Sequence, residues 1–221
     1  MTQSGRPLPA ERDALWRRTF QISKSANSLI RLFLQINIIL LMRKLTMEEL
    51  NRKSVDEFKE SEKNPVIAVL ENIRSAYNVG SVFRTADAFL IESIFITGYT
   101  AKPPHKEITK TALGAQDSVD WSYFETTKEA IEHLKKDGYK VFAVEQVSDS
   151  ISLENIADLS ADKIAFIFGN EVSGVEEEVI SLCDGCVEIP QFGMKHSLNI
   201  SVAAGIVLWE AVKSSLTLKE K

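Results

Sequence analysis

From residue 65 onward, short runs of apolar and β-branched residues alternate with segments whose apolar residues recur at helical spacing. The runs predict strands, and the segments between them predict helices. Strict alternation of this kind favours an α/β fold with a mostly parallel sheet and helices on both faces. In such sheets, ligands bind beyond the carboxyl ends of the strands. The predicted strands are 66–70, 93–97, 121–124, 139–145, 164–168 and 187–189, and the predicted helices are 79–89, 108–113, 126–138 and 198–214.

Two residue pairs in this region match the capping box, in which a Ser or Thr is followed three residues later by Glu. Thr126 with Glu129 predicts the start of the helix that ends at Gly138. Ser173 with Glu176 predicts another helix start, followed by an acidic first turn that suits the positive end of a helix.

The segment before residue 42 differs in character from the rest of the chain. Residues 29–42 read LIRLFLQINIILLM, a strongly apolar stretch that is shorter than the ~20 residues of a membrane-spanning helix and is interrupted by polar residues. No small-residue cleavage site follows it, which argues against a signal peptide. Two alternatives stay open for residues 1–41: an amphipathic helix that packs on a partner, and translated upstream sequence with the working start at Met42.

A short helical extension, residues 42–64, is predicted ahead of the main domain. Thr46 with Glu49 is a third capping-box pair, and we expect a charged helix to run from there to about Phe58. The Asn-Pro pair at the end of this segment bars its continuation as a helix. The main domain is therefore predicted to comprise residues 65–221.

The composition is that of a globular chain with a full core, since 44% of the 221 residues are hydrophobic and 26% are charged. The net charge is −5, but residues 1–41 carry +4 and the remainder carries −9. A globally basic nucleic-acid binder is therefore not indicated, although a local basic site is compatible with a negative sum. The sequence contains no GxGxxG, Walker A or GxSxG motif, and its three histidines are not spaced as a metal site.

Residues 72–88, NIRSAYNVGSVFRTADA, combine the end of a strand with the start of a helix. Arg84 follows Asn78 by six residues and lies among small and apolar residues. A guanidinium in such surroundings needs an anionic or carbonyl partner, because an unpaired buried charge is costly. That partner is either a ligand or Asp87, in an internal salt bridge.

Two later segments repeat the strand–loop–helix arrangement. Residues 167–174, IFGNEVSG, place Glu171 between two glycines that permit close backbone approach or positive φ. Residues 189–210, IPQFGMKHSLNISVAAGIVLWE, place Ser197 and Asn199 at the mouth of a very apolar helix. Ser197 suits an N-cap, whereas a buried Asn199 amide requires hydrogen-bond partners.

In this order and spacing, the three segments resemble motifs 1, 2 and 3 of the SpoU (TrmH-like) branch of the SPOUT RNA methyltransferases, over about residues 65 to 214. The resemblance implies transfer of a methyl group from S-adenosyl-L-methionine to a ribose 2′-hydroxyl of tRNA or rRNA. It also implies a C-terminal deep trefoil knot and a cytoplasmic homodimer with the cofactor pocket at the subunit interface, without a membrane or metal partner. One alternative is a catalytically silent RNA-binding or assembly protein with the same fold, and another is a small-molecule α/β enzyme.

The resemblance assigns roles to the residues that match its motifs. Arg84 is expected to pin a substrate phosphate and hold the hydroxyl in line, because a guanidinium does not give up its proton and is therefore no general base. Glu171 and Asn199 are expected to fix the site around it. The expected catalytic residues are Arg84, Asn78, Glu171 and Asn199, and the expected cofactor-binding residues are Gly169, Ile189, Gln191, Met194, Ser197 and Leu198.

Two further features carry local chemistry. Basic residues flank a Pro-Pro pair and could meet RNA phosphates, although a solvated loop is the alternative. Cys183 and Cys186 form a CxxC sequence, but no second pair accompanies it, so we expect a structural role rather than zinc or redox chemistry. The expected RNA-binding residues are Arg74, Lys102, His105 and Lys106.

Overall fold

A seven-stranded sheet forms the centre of the protein in a computed structural model that describes residues 28, 30–31, 43–46, 48–159 and 161–217. The strands are β1 (Asn64–Glu71), β2 (Ile91–Thr97), β3 (Asp120–Phe124), β4 (Lys140–Val144), β5 (Ile151–Ser152), β6 (Ile164–Phe168) and β7 (Gly185–Glu188). Their order is β3-β2-β1-β6-β4-β7-β5, and each neighbouring pair is parallel. The predicted α/β class with a mostly parallel sheet is confirmed.

Helices connect the strands and cover the sheet. The described helices are α1 (Val55–Glu60), α2 (Ala76–Ala88), α3 (Lys106–Ala112), α4 (Ala115–Ser118), α5 (Thr127–Lys136), α6 (Glu177–Leu182) and α7 (Ile200–Thr217), with a 3₁₀ helix at Leu153–Leu159. Apolar side chains of α2, α3 and α7 join one core cluster, and those of α5 and α6 join another. Helices therefore lie on both faces of the sheet, as predicted.

Strand β1 lies between the two clusters, which explains its unbroken apolar sequence. Ala68 and Leu70 are buried on the α2 and α7 side, whereas Ile67 and Val69 are buried on the α5 and α6 side. A strand covered on both faces needs apolar residues at every position rather than at alternate positions. The same central strand directs its carboxyl end, and the residues after it, toward the edge where the ligands of such sheets bind.

The two predicted helix starts in this domain have different outcomes. The Thr126 prediction is confirmed, since its hydroxyl accepts a hydrogen bond from the Glu129 N–H (3.2 Å) and α5 begins at the next residue. The prediction for Ser173 is wrong, because α6 begins at Glu177 and has no side-chain cap. Glu176 instead bonds to the end of β1 through its own N–H, which donates to the buried Glu71 carboxylate (3.2 Å).

The charged segment before β1 also differs from its prediction. Thr46 and Glu49 do form a capping box, but only a turn follows, and Asn51 leaves helical geometry with a φ of +45°. Helix α1 begins separately after Ser54, so a single helix from Thr46 to Phe58 is wrong. The chain divides into two units, residues 1–52 and 53–221.

The two interpretations of residues 1–41, and most of the apolar run at 29–42, fall outside the described residues. Among the helices that the structure describes, none has the length and apolar character needed to cross a membrane.

Candidate active site

A cavity of about 480 Å³ opens at the carboxyl edge of the sheet, beyond strands β4, β6 and β7. Three loops and the start of α7 surround it, and these include the second and third segments singled out in the sequence. The lining residues are Val144–Val147, Phe168–Val175, Glu177, Ile180, Val187–Ile189, Gln191, His196–Leu198, Ile200 and Ala203.

The loop after β6 is closed on itself by backbone contacts. Asn170 and Gly174 exchange two backbone hydrogen bonds of 2.9 and 3.0 Å. A Cβ added to Gly169 would lie 2.2 Å from the carbonyl carbon of Gly174, and Gly174 itself has a φ of +70°. These two positions therefore require glycine, because a side chain would collide with backbone at the first and strain the backbone at the second.

The side chain of Asn170 connects this loop to the neighbouring strands. Its amide nitrogen donates to the Asn72 carbonyl (2.8 Å) and to the Tyr99 hydroxyl (2.7 Å). Its amide oxygen accepts from the N–H groups of Val172 (2.8 Å) and Ser173 (3.1 Å). The buried amide therefore uses both donors and both lone pairs, which is full hydrogen-bond satisfaction for this group.

Glu171 links the loop to the start of helix α2. Its carboxylate accepts hydrogen bonds from the Arg74 N–H (2.9 Å), the Ser75 N–H (3.2 Å) and the Asn78 amide (3.0 Å). Burial alone raises the pKa of the Glu171 carboxyl, but the hydrogen bonds outweigh burial and leave the pKa below its ordinary value. Glu171 is therefore a carboxylate anchor that also lines the cavity.

Asn199 joins the third segment to the same cluster. Its amide nitrogen donates to Asn78 Oδ1 (3.3 Å), and its amide oxygen accepts from the Ser201 N–H (2.9 Å) and hydroxyl (2.6 Å). The structure thus brings together three of the four residues predicted to be catalytic, although they lie far apart in sequence. Glu171 and Asn199 both contact Asn78, and neither is bonded to Arg84 among the described residues, so their expected role around the arginine stays a prediction.

Arg84 lies elsewhere, in a separate recess of about 550 Å³. Six residues of α-helix separate it from Asn78 by about 9 Å along the axis and about 120° around it. Its side chain is exposed, so the expectation of buried surroundings is wrong, and no residue in the described ranges pairs with its guanidinium. Asp87 accepts a hydrogen bond from the Ser118 hydroxyl (2.7 Å) instead. The recess is lined by Ser81, Arg84, Thr85, Ala88, Phe89, Lys110, Thr111 and Leu113.

The residues predicted to bind the cofactor line the cavity with one exception. Met194 is 82% exposed and is not among the lining residues, so its expected part in cofactor binding stays a prediction without support from the cavity. Between Pro190 and Leu198, the only hydrogen bond among described residues runs from Gln146 Nε2 to the His196 carbonyl (3.0 Å). Few hydrogen bonds therefore hold this loop against the rest of the cavity wall. The predicted residues that do line it are Gly169, Ile189, Gln191, Ser197 and Leu198.

The four predicted RNA-binding residues are exposed but have different surroundings. The ammonium of Lys102 lies 3.4 Å from the centroid of the Tyr123 ring. His105 caps α3, because its Nδ1 accepts a hydrogen bond from the N–H of the residue two positions later (3.2 Å). Arg74 contacts Glu171 through its backbone N–H and not through its side chain. Lys106 is the first residue of α3.

Glu145 is a site residue that the sequence analysis missed. Its carboxylate accepts hydrogen bonds from the N–H groups of Gln146 (3.0 Å) and Val175 (3.1 Å), and it lines the cavity. The sequence feature that could have indicated Glu145 is its position immediately after β4, at the carboxyl edge of the sheet where ligands bind. Together with Glu171, Glu177 and Glu188 it makes the lining acidic, and no Lys or Arg is among the described lining residues.

The two cysteines are packed into the structure. The Cys183 thiol donates to the Val179 carbonyl (3.3 Å), and burial raises its pKa to about 12. Cys186 is buried on β7, and burial also raises its pKa. A thiol with a raised pKa is a poor metal ligand and a poor nucleophile. Within the described part of the chain, no group of His, Cys, Asp or Glu is arranged to hold a metal ion.

Fold and site together define an α/β protein with a ligand cavity at the carboxyl edge of a parallel sheet, lined by the loop after β4 and by the second and third segments. The model of the SpoU rRNA methylase family matches residues 65–209. The chain therefore belongs to this family.

Sequence comparison finds relatives that are named as RNA methyltransferases. The tRNA (guanosine(18)-2′-O)-methyltransferase of Borreliella burgdorferi is 31% identical over 172 residues, covering 71% of this chain and 77% of the relative. The enzyme of the same name from Thermus thermophilus is 30% identical over 168 residues, covering 76% and 84%. The 23S rRNA (guanosine-2′-O-)-methyltransferase RlmB of Vibrio vulnificus is 27% identical over 169 residues, covering 76% and 67%.

Solved structures show the same fold. The AdoMet-bound rRNA methyltransferase from Sinorhizobium meliloti matches with a TM-score of 0.64 and 27% identity over 69% of this chain, which spans 57% of that protein. The A. aeolicus TrmH/SpoU tRNA modifying enzyme matches with a TM-score of 0.65 and 24% identity, covering 74% of this chain and 81% of that one.

Proposed function

We propose that this protein transfers a methyl group from S-adenosyl-L-methionine to a ribose 2′-hydroxyl of tRNA or rRNA. The observation that carries the proposal is the hydrogen-bonded cluster of Asn78, Glu171 and Asn199, which ties three distant segments together beside one cavity. Its relatives named above are 2′-O-methyltransferases of tRNA and 23S rRNA guanosines.

The cavity suits S-adenosyl-L-methionine in size and charge. Its volume of about 480 Å³ is in the usual range for ligand sites, and its acidic lining complements the positive charge of a sulfonium. The loop from Pro190 to Leu198 keeps most backbone N–H and C=O groups available to read the edge of an adenine. We propose that these loop groups hold the base, and that the close approach of Gly169 to the next turn leaves room for the rest of the cofactor.

The cofactor, when bound, supplies a methyl group on sulfur, so the carbon–sulfur bond breaks as the bond from the 2′-oxygen to carbon forms. The chain's own part is positioning, which supplies much of the acceleration in an in-line displacement. Asn78, held by Glu171 and Asn199, presents a fixed amide beside the cavity. Arg84 pins the neighbouring phosphate and holds the hydroxyl in line, and that phosphate accepts the hydroxyl proton. Arg74, Lys102, His105 and Lys106 contact further phosphates.

A homodimer would bring Arg84 to a cavity. Within one chain Arg84 lies in its own recess, where the Phe89 ring is 5.6 Å from that of Trp209. Trp209, Val202 and Ile206 recur at helical spacing on α7 and are all partly exposed. We infer that a second copy covers this apolar face, and that each protomer's Arg84 serves its partner's cavity.

Complementation tests the shared site. The Arg84→Ala and Glu171→Ala variants should each be inactive alone, whereas a co-expressed mixture should regain about one quarter of wild-type turnover, since half of the dimers are mixed and each of these has one intact site. A mixture as inactive as either variant alone contradicts a site shared between protomers.

The C-terminal part of the chain is proposed to be knotted. Strand β7 lies on the far side of β4, yet the following helix α7 packs against α2 and β1 on the other side of β6. The connection between them therefore crosses the carboxyl edge, beside the loop after β6 that is bound to the start of α2. Such a crossing is what a deep trefoil knot requires.

Two measurements test the proposed reaction. Calorimetry should detect binding of S-adenosyl-L-methionine, and labelled methyl groups should enter unmodified tRNA or rRNA as 2′-O-methylnucleosides identified by mass spectrometry. Cofactor binding without methyl transfer to either RNA favours the catalytically silent alternative. Failure to bind the cofactor favours a small-molecule enzyme instead.

Replacement of Arg84 by Ala should lower turnover about 10³-fold, because loss of one charge-stabilising group at a reaction centre typically has an effect of this size. Cofactor affinity should stay within about twofold, since the proposed role of Arg84 is to hold the RNA phosphate rather than the cofactor. Lys128→Ala, which removes an exposed cation on α5, is the matched control. Turnover of Arg84→Ala close to that of the wild type would remove Arg84 from the mechanism.

A further inference from the structure

Tyr99 is an exposed aromatic side chain that lies beside the cavity but outside its lining. It lies two residues after the end of β2 and is 64% exposed. Its hydroxyl accepts a hydrogen bond from Asn170 Nδ2 (2.7 Å), and Asn170 does line the cavity. The ring is therefore attached to the wall of the cavity by its polar end, while most of its surface remains in contact with solvent.

The backbone of Tyr99 is held as firmly as its hydroxyl. Its N–H donates to Asn72 Oδ1 (3.3 Å), at the end of β1. The preceding Gly98 has a φ of +61°, and a Cβ there would lie 2.0 Å from the same Asn72 oxygen. Glycine at this position lets the turn pass close to Asn72, so the ring is fixed at both ends before any ligand binds.

A second ring is bonded to Gly98, the residue before Tyr99, and carries a cation on its face. The Tyr123 hydroxyl donates to the Gly98 carbonyl (3.0 Å), and the Lys102 ammonium lies 3.4 Å from the centroid of the Tyr123 ring. We call Tyr99, Tyr123 and Lys102 the aromatic platform. Single aromatic residues are common on protein surfaces, but two rings held by hydrogen bonds, with a cation on one of them, form a group that can bind a ligand.

We propose that the aromatic platform stacks an unpaired base of the RNA substrate, and that Tyr99 is a base-positioning residue for methyl transfer. Proteins recognise single-stranded RNA by stacking its bases on aromatic rings and pairing its phosphates with nearby cations. Lys102, and the exposed Lys106 that follows it, supply the cations. The bond between Tyr99 and Asn170 sets the stacked base beside the cavity, so the proposal rests on the proposed function.

Stacking on RNA and stacking on the cofactor's adenine predict different results. Tyr99 is outside the cavity lining, so its ring is not expected to touch the cofactor. Loss of the ring should therefore weaken RNA binding and leave cofactor affinity within about twofold. A role confined to holding Asn170 would behave differently again, because it depends on the hydroxyl rather than on the ring.

The experiment compares Tyr99→Phe, Tyr99→Leu and Tyr99→Ala in the full chain. Steady-state KM is measured with unmodified tRNA and rRNA, and cofactor affinity is measured by calorimetry. The Ala and Leu variants should raise the RNA KM about tenfold, the usual effect of losing one stacked base, while Phe stays within about threefold. Lys128→Ala, which removes an exposed side chain on α5 outside the platform and the cavity, should leave the RNA KM unchanged.

Several outcomes would overturn the platform. Wild-type KM in Tyr99→Ala or Tyr99→Leu excludes stacking. A Tyr99→Phe variant as weak as Tyr99→Ala assigns the effect to the hydroxyl, and an equal loss in Lys128→Ala shows that the effect is not specific to the platform. A wild type that methylates no RNA overturns the proposed function separately. Binding of a short labelled oligoadenylate then decides the platform alone, since Tyr99→Ala must weaken it for the platform to stand.

Discussion

The cavity has two loops of unlike construction. The loop from Gly169 to Gly174 is closed by paired backbone hydrogen bonds, and the side chains of Asn170 and Glu171 bond to the strands and helix around it. The loop from Pro190 to Leu198 makes one hydrogen bond among the described residues, and its Phe192 side chain is 98% exposed.

This difference indicates a division of labour. A wall whose polar groups are already satisfied keeps its shape without ligand, so binding there costs little ordering of the chain. A loop with unpaired backbone groups has those groups available for a ligand, but it must be ordered when the ligand arrives. We therefore expect sequence changes in the first loop to affect stability and binding together, and changes to exposed side chains of the second to affect stability little.

The largest effect is expected from Gly169→Ala. Its Cβ would lie 2.2 Å from the Gly174 carbonyl carbon and 2.3 Å from the Val175 nitrogen, and backbone atoms cannot move aside without opening the loop. We expect a loss of about 3 kcal/mol in the free energy of unfolding and a lowering of Tm by about 6–12 °C. Thermal denaturation measures both.

The matched control is Gly193→Ala in the second loop. No atom lies within 4 Å of a Cβ added there, so stability should change by less than about 0.5 kcal/mol. Equal losses in the two variants would contradict the contrast between the loops.

The next effect concerns the pH dependence of stability, through one carboxylate in the first loop, Glu171, and one at the end of β1, Glu71. The pKa of Glu171 is lowered in the folded state, so its stabilisation is present above the ordinary pKa of 4.5 and is lost as the pH falls through the folded pKa. Glu171 is exposed, so solvent screens its interactions, and Glu171→Gln should cost less than about 1 kcal/mol at neutral pH, with a difference from wild type that shrinks in acid. Unfolding by urea at several pH values measures this.

Glu71 should show the opposite dependence. It is 1% exposed, and burial is the main cause that raises its pKa above the ordinary value. Its contribution to stability is present below pH 4.5 and is lost as the pH rises through the folded pKa. Glu71→Gln should therefore gain stability relative to wild type as the pH rises toward neutrality. Parallel pH profiles for the two variants would contradict the assigned directions.

The smallest effect is expected from Phe192→Ala. The side chain is almost fully exposed, so its removal should change the free energy of unfolding by less than about 0.5 kcal/mol. A Tm lowered as far as that of Gly169→Ala would show that the second loop is packed in solution. It would contradict the proposed difference in stability between the two loops.

Elements with a strong local pattern were predictable from the sequence. The apolar run 164–168 coincides with β6, and Thr126 caps α5 as its spacing predicts. Short or atypical elements were missed: α4 has four residues and no side-chain cap, and β5 has two residues. Their existence depends on packing against neighbours rather than on any periodic pattern.

Site residues were predictable where a motif carried them, and their partners were not. The sequence indicated Asn78, Glu171 and Asn199, but not that they would contact one another instead of Arg84. The capping-box pattern at Ser173 failed because Glu176 bonds to residues at the end of β1, a tertiary contact that local spacing does not report. Glu145 carried only the weak signal of following a strand.

Asn170 has a consequence for how this protein could change its target. The Asn170 carboxamide bonds to the loop after β6, to the end of β1 and to Tyr99, so a substitution there removes hydrogen bonds to all three segments at once. The exposed Lys102 makes one contact, between its ammonium and the Tyr123 ring, and the side chain of Lys106 makes none among the described residues. Natural or laboratory selection for a new RNA target is therefore expected to accumulate substitutions at these lysines and to leave residue 170 unchanged.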